Sequence, residues 1–227
     1  MITVDLQDQP VRTLNRQLIN LPANTNEKKW RVINPMGAHS VAVGLSQPIT
    51  VDVEGHVGYY CAGMNQHATV NVHGHVGTGF AENIMSGVAR VSGNASQSAG
   101  ATGHGGLVII EGNASSRCGI SMKGVDIVVG GSVGHMSGFM AQAGNLVVCG
   151  DAGSDLGDSM YEARIFVRGS VVSLGSDVVE KEVRPEHLAT LTELLHRAEI
   201  DADPSEFRRY GSARNLYNFS IDNVDNY

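Results

Sequence analysis

The 227-residue chain is predicted to be all-β: a right-handed parallel β-helix of about seven 19-residue coils, with an N-terminal cap and a C-terminal helical tail. Three observations predict it. Glycine recurs every nineteen residues without an insertion, at Gly55, Gly74, Gly93, Gly112, Gly131, Gly150 and Gly169. Apolar residues keep fixed offsets from these glycines. The position four before reads Val51, Val70, Ala89, Val108, Ile127, Leu146, Ile165, and those two before and two after are apolar in all seven repeats. Finally, no proline falls between Ile49 and Arg184, although Pro10, Pro22, Pro35 and Pro48 precede that stretch and Pro185 and Pro204 follow it.

Each element follows from one of these patterns. Residues 1–48 are mixed and partly charged, and read as a cap that ends in a lead-in strand, "VAVGLSQP". Residues 49–184 form the solenoid, because Val and Ile at alternate positions mark a strand with one buried face. A period of nineteen is too short for a strand–helix–strand unit. It suits a coil that pairs with the coils above and below. Proline gives no ladder hydrogen bond, so its absence sets the ladder at about residues 49–183. Each repeated glycine then sits at a corner, where its freedom of backbone angle is expected to be used. Residues 185–227 begin with "PEHLATLTELLHRAE", a helix with Pro at its first position and Leu188, Leu191, Leu194 and Leu195 along one stripe.

Composition narrows the function. A net charge of −7 and scarce aromatics argue against a nucleic-acid surface. The start "MITVDLQDQP" lacks the pattern of a secretion signal and no apolar run reaches about 18 residues, so the expected setting is cytoplasmic and away from membranes. From Gly55 to Gly150 only Glu82, Arg90, Glu111, Arg117, Lys123 and Asp126 are charged. A soluble surface normally carries about a quarter charged residues. The middle coils are therefore expected to be covered by partner chains, or else to meet water through Ser, Thr, Asn and Gly.

The chain is poor in chemistry-bearing constellations. Cys61 and Cys118 lie three periods apart, about 14 Å at 4.8 Å per coil, too far for a disulfide or a shared metal. With Cys149 they read as reduced thiols. His56 and His75 occupy one column, and His73 stands two residues from His75, a grouping that invites zinc. The column continues as Asn94, Asn113, Ser132, Asp151 and Ser170, which reads instead as a ladder of stacked polar side chains. "GATGHGG" at 100–106 lacks the Lys and helix start of a phosphate loop. Asp126 and Asp151 fall in unrelated columns, so no carboxylate pair repeats. Met1-Ile2 offers no N-terminal nucleophile. No catalytic, cofactor-binding or metal residue is assigned; the seven corner glycines are structural.

One column is odd. Three residues before each corner glycine, Asp52, Asn71 and Arg90 give way to Ile109, Val128, Val147 and Phe166. Such an apolar outer strip needs a cover. The leucine stripe of the C-terminal helix is expected to supply it, in preference to a partner subunit.

The glycines with "GHVGYYCAGMNQHATV", "ASQSAGATGHGG", "GNASSRCGISMKG" and "GGSVGHMSGFMAQAG" resemble the C-terminal glycine-repeat (GXGXG) domain of the glutamate synthase large subunit. The tail "DPSEFRRYGSARNLYNF" is similar to stand-alone versions, above all the middle subunit of N-methylglutamate synthases and rhizobial glutamate-synthase-like counterparts. The resemblance implies a subunit without a catalytic site of its own. It would work in a hetero-oligomer beside a glutamine-amidotransferase-like subunit and a subunit binding FMN and an iron–sulfur cluster. The reaction implied converts L-glutamate and methylamine to N-methyl-L-glutamate and ammonia. Competing readings are glutamate synthase proper, a β-helix subunit of another oxidoreductase such as formylmethanofuran dehydrogenase, and an independent carbohydrate-active or binding β-helix.

Overall fold

Residues 1–214 are described by the structure, a computed structural model. Strands β1 (Ile2–Asp5) and β2 (Lys29–Ile33) flank helix α1 (Val11–Ile19). Then come β3 (Thr50–Glu54), β4 (Thr69–His73), β5 (Val88–Val91), β6 (Leu107–Ile110), β7 (Lys123–Val129), β8 (Ala143–Val148) and β9 (Arg164–Val167). Residues alternate between buried and half-exposed in the early strands, as in Val51 and Val53 of β3, and their inward side chains fill one continuous core.

These strands stack in parallel. From β3 to β9 the inward residues keep a register of nineteen, Val51 pairing with Val70, then Ala89, Val108, Ile127, Leu146 and Ile165, and the register shifts by one only where β7 begins, Lys123 pairing with Ala143. A second ladder of single bridges runs from Val57 through Val76, Ala95, Ala114, Val133 and Ala152 to Val171. The predicted parallel solenoid of about seven coils is the observed fold.

The ladder reaches further than the prolines suggested. Trp30 pairs with Val51 and Ile2 with Trp30, so two longer coils precede the regular ones. The four early prolines all lie between strands, where no ladder bond is asked of them. The stretch 41–48 is not a strand but turns and bends; Val41, Ala42 and Leu45 are buried in it through a left-handed backbone, with φ of 56° at Ala42 and 66° at Gly44.

At the other end the parallel ladder stops at β9. Strand β10 (Val178–Lys181) does not pair with it directly: β11 (Arg208–Ser212) lies antiparallel between the two. Between them the chain forms α2 (Pro185–Ala198), with Pro at its first turn as expected, and a short 3₁₀ turn at Pro204–Glu206. Leu14 and Leu18 of α1 close the core near the N-terminus, both almost fully buried.

Candidate functional surfaces

The corner glycines serve a different need from the one expected. Of the seven, only Gly55 has a positive φ, at 126°. The others are held because the corners stack backbone on backbone. The N–H of Gly131 donates to Gly112 O at 2.9 Å, and that of Gly150 to Gly131 O at 2.8 Å. A Cβ on Gly74 would lie 2.7 Å from the carbonyl carbon of Gly55, and one on Gly169 2.5 Å from Gly150 O. A side chain would have to displace the neighbouring coil.

Beside the glycines runs the polar ladder. His75 N donates to His56 Nδ1 at 2.9 Å, Asn94 N to His75 Nδ1 at 2.8 Å, and Asn113 N to Asn94 Oδ1 at 2.8 Å. The series continues through Ser132 and Asp151 to Ser170, each backbone N–H donating to the side chain one coil earlier. The His56 and His75 rings stack 4.8 Å apart. With Nδ1 accepting, each imidazole carries its proton on Nε2. Ser170 donates twice to Asp151, holding that carboxyl below its ordinary range.

His73 is not part of this column. It lies at the end of β4 with Nε2 4.0 Å from Asp52 Oδ1. No group of three or more His, Cys, Asp or Glu side chains able to hold a metal occurs among the described residues. In the glycine-rich 100–106 segment, Gly100 and Gly106 take positive φ of 67° and 84°, and a Cβ on Gly103 would press on Val125 and Ile84. Those glycines serve turns and packing. Asp126 accepts from Asn145 Nδ2 at 2.7 Å, away from Asp151, and burial raises its pKa.

All three cysteines are free and buried. Burial pushes the Cys61 and Cys118 thiols up to about 12 and Cys149 to about 11. A thiol so far from its thiolate is a poor nucleophile at neutral pH.

The apolar outer strip is covered from within the chain. Ile109, Val128, Val147 and Phe166 pack with Leu191, Leu194, Leu195, Ala198 and Phe207 in a second core outside the sheet. Leu188 is only half-buried and does not join it; His187 is buried instead. Its Nδ1 accepts from Arg184 N at 3.1 Å, and burial, reinforced by Arg209 and Arg164, lowers its pKa. At the far end of α2, Arg90 donates to Ala198 O and to Glu111, both at 2.6 Å. A cation at a helix C-terminus meets the negative end of its dipole. Arg90 therefore marks where the covered half of the sheet ends and the polar half, with Asp52 and Asn71 bonded at 2.8 Å, begins.

A third surface has no counterpart in the sequence pattern. In each coil three alternate residues adopt left-handed backbone: Tyr60, Ala62 and Met64; Gly79, Ala81 and Asn83; and onward to Asp155, Gly157 and Ser159. The middle residue donates to the preceding coil, as Ala81 N to Cys61 O at 2.8 Å, and the outer two to the following coil, as Met64 N to Glu82 O at 2.8 Å. A non-glycine residue in this region costs about 1–2 kcal/mol, so bonding to both neighbours is what holds it. This backbone turns Met64 and Met140 outward, 45% and 38% exposed.

No protein-family model matches the chain. It is 61% identical over 228 residues to Protein GlxC of Rhizobium meliloti (strain 1021), across 100% of both chains. With likeness of that degree over the whole length, the chain belongs to the GlxC family.

Proposed function

We propose that the chain is a non-catalytic structural subunit of a glutamate-synthase-like complex, most specifically an N-methylglutamate synthase. It would hold a glutamine-amidotransferase-like subunit and a subunit carrying FMN and an iron–sulfur cluster in fixed relation. One observation carries this reading: the side chains with chemical potential are spent on the rod itself. His56, His75, Asn94 and Asp151 each accept a backbone N–H from the next coil, and the thiols are buried. The full-length likeness to a Glx protein of a rhizobium supports the glutamate-synthase-like assignment, since the sequence resembles rhizobial proteins of that type.

A rod of parallel coils bonded at every step resists bending, and this suits a spacer between two catalytic chains. The test is co-expression with the two partner chains and purification through a tag on this one. The reading expects co-purifying flavin and iron–sulfur absorbance, and N-methyl-L-glutamate from L-glutamate and methylamine. A complex that forms but turns over ammonia only would leave the structural role and remove the methylamine assignment. Failure of both chains to co-purify would remove the structural role.

A further inference from the structure

We propose that the left-handed face is a contact between two copies of this chain, packed with their rods antiparallel. Of the six charges between Gly55 and Gly150, Arg90 bonds to Glu111 and to the end of α2, and Asp126, hydrogen-bonded to Asn145, lies in β7 of the sheet that α2 covers. That leaves Glu82 and Arg117 on the other two sides of five coils, with Lys123 at the corner where β7 begins. None of these three forms an ion pair among the described residues. Between them stand Tyr59, Met64, Met85 and Met140, 52%, 45%, 46% and 38% exposed. Depletion of charge with enrichment of Met and Tyr is the composition of an interface core, and it sits here on backbone fixed by bonds to both neighbouring coils.

The order of residues along the rod selects the occupant. Met64, Asn83, Thr102, Ser121 and Met140 are one column at successive coils, all left-handed. A two-fold axis lying in the contact plane, across the rod at Thr102, puts Met64 on Met140 of the second copy. It brings the coil bearing Glu82 onto the coil bearing Arg117 and Lys123, so the unpaired charges meet opposite sign. The surface is complementary to itself in that orientation alone: a parallel pairing would face like charge with like. Five coils at about 4.8 Å and a face about 20 Å wide give about 500 Å² of projected area per copy. That is the low end for a specific interface, so the dimer is expected to be concentration-dependent.

Sedimentation equilibrium of the purified chain tests this. The expected result is a monomer–dimer equilibrium between 24.0 kDa and twice that mass. Met64→Glu and Met140→Glu should each weaken dimerisation at least tenfold, and Glu82→Lys should do so most at low salt. Combining Glu82→Lys with Lys123→Glu should restore association. Val172→Glu, 75% exposed and outside the face, should change nothing. Circular dichroism confirms that each variant is folded. A wild-type chain monomeric at several hundred micromolar, or a dimer indifferent to Met64→Glu and Met140→Glu, overturns the proposal. So does a monomer whose Met64 and Met140 become protected from oxidation only on adding a synthase partner chain; the face then belongs to that partner.

Discussion

Replacing Leu191 by Ala tests whether the chain covers its own apolar strip. Leu191 is fully buried, in a cluster with Ile109, Val128, Val147 and Phe166. Core Leu→Ala changes cost about 2–5 kcal/mol, depending on how far the site collapses around the cavity. Here a helix lies on an open sheet and is able to settle, which places the cost at about 2–3 kcal/mol. For a chain of this size each kcal/mol lowers Tm by about 2–4 °C, so the melt should fall by about 4–12 °C. Leu188→Ala is the internal comparison: same helix, same chemistry, but half-buried and outside the cluster, so its loss should stay below about 1 kcal/mol. Leu191→Asp, which buries an unpaired carboxylate, should exceed both. The assay is thermal unfolding of the isolated chain by circular dichroism, with limited proteolysis to detect a helix that lifts before the coils melt. If Leu191→Asp leaves Tm and protease resistance unchanged, α2 does not hold the strip in solution and the reasoning fails.

Other outcomes follow from the same structure. Gly112→Ala, whose Cβ would meet Gly93 O at 2.8 Å, should lower Tm in a denaturation scan despite an ordinary backbone angle; an unchanged Tm would show that the corners have slack. His187 has a lowered pKa when folded, so its contribution to stability is present above the unfolded value of about 6.5 and declines as pH falls toward the folded one. Urea midpoints should therefore drop between pH 7.5 and 5, and His187→Gln should flatten that slope. Arg90→Ala should speed amide exchange at the last turn of α2, around Leu195–Glu199, more than in β3 and β4. A neutral-pH thiol reagent should leave Cys61, Cys118 and Cys149 unmodified until the chain unfolds; rapid labelling of the native chain would contradict their burial.

The sequence makes visible whatever repeats with a chemical signature. Val51 through Ile165 announce the strands because a buried face admits only apolar side chains, and Ile109 through Phe166 announce their cover for the same reason. The polar ladder is legible because His, Asn, Ser and Asp share one property, a short acceptor. The left-handed face has no such signature: Tyr60, Gly79, Ser98, Arg117, Met136 and Asp155 occupy one column, and what they share is backbone bonding. The role of the glycines differs from expectation because a sequence records that a side chain is missing, not whether an angle or a neighbour excludes it. The first two coils are hidden because their lengths break the period, and β11 because its pairing is antiparallel.

The position of β11 also sets a clock. The parallel edge of β9 is complete once Val167 has been made, yet the strand that seals it lies about forty residues further on. At synthesis rates of about 5–20 residues per second, that edge waits about 2–8 s, and the strip from Ile109 to Phe166 is bare for part of the same interval. Sticky surface is thus presented by the nascent chain before its own cover exists. A stop codon before residue 208 should therefore yield insoluble protein, although every regular coil would be present. The arrival of β11 is what ends the chain's exposure to its neighbours on the polysome.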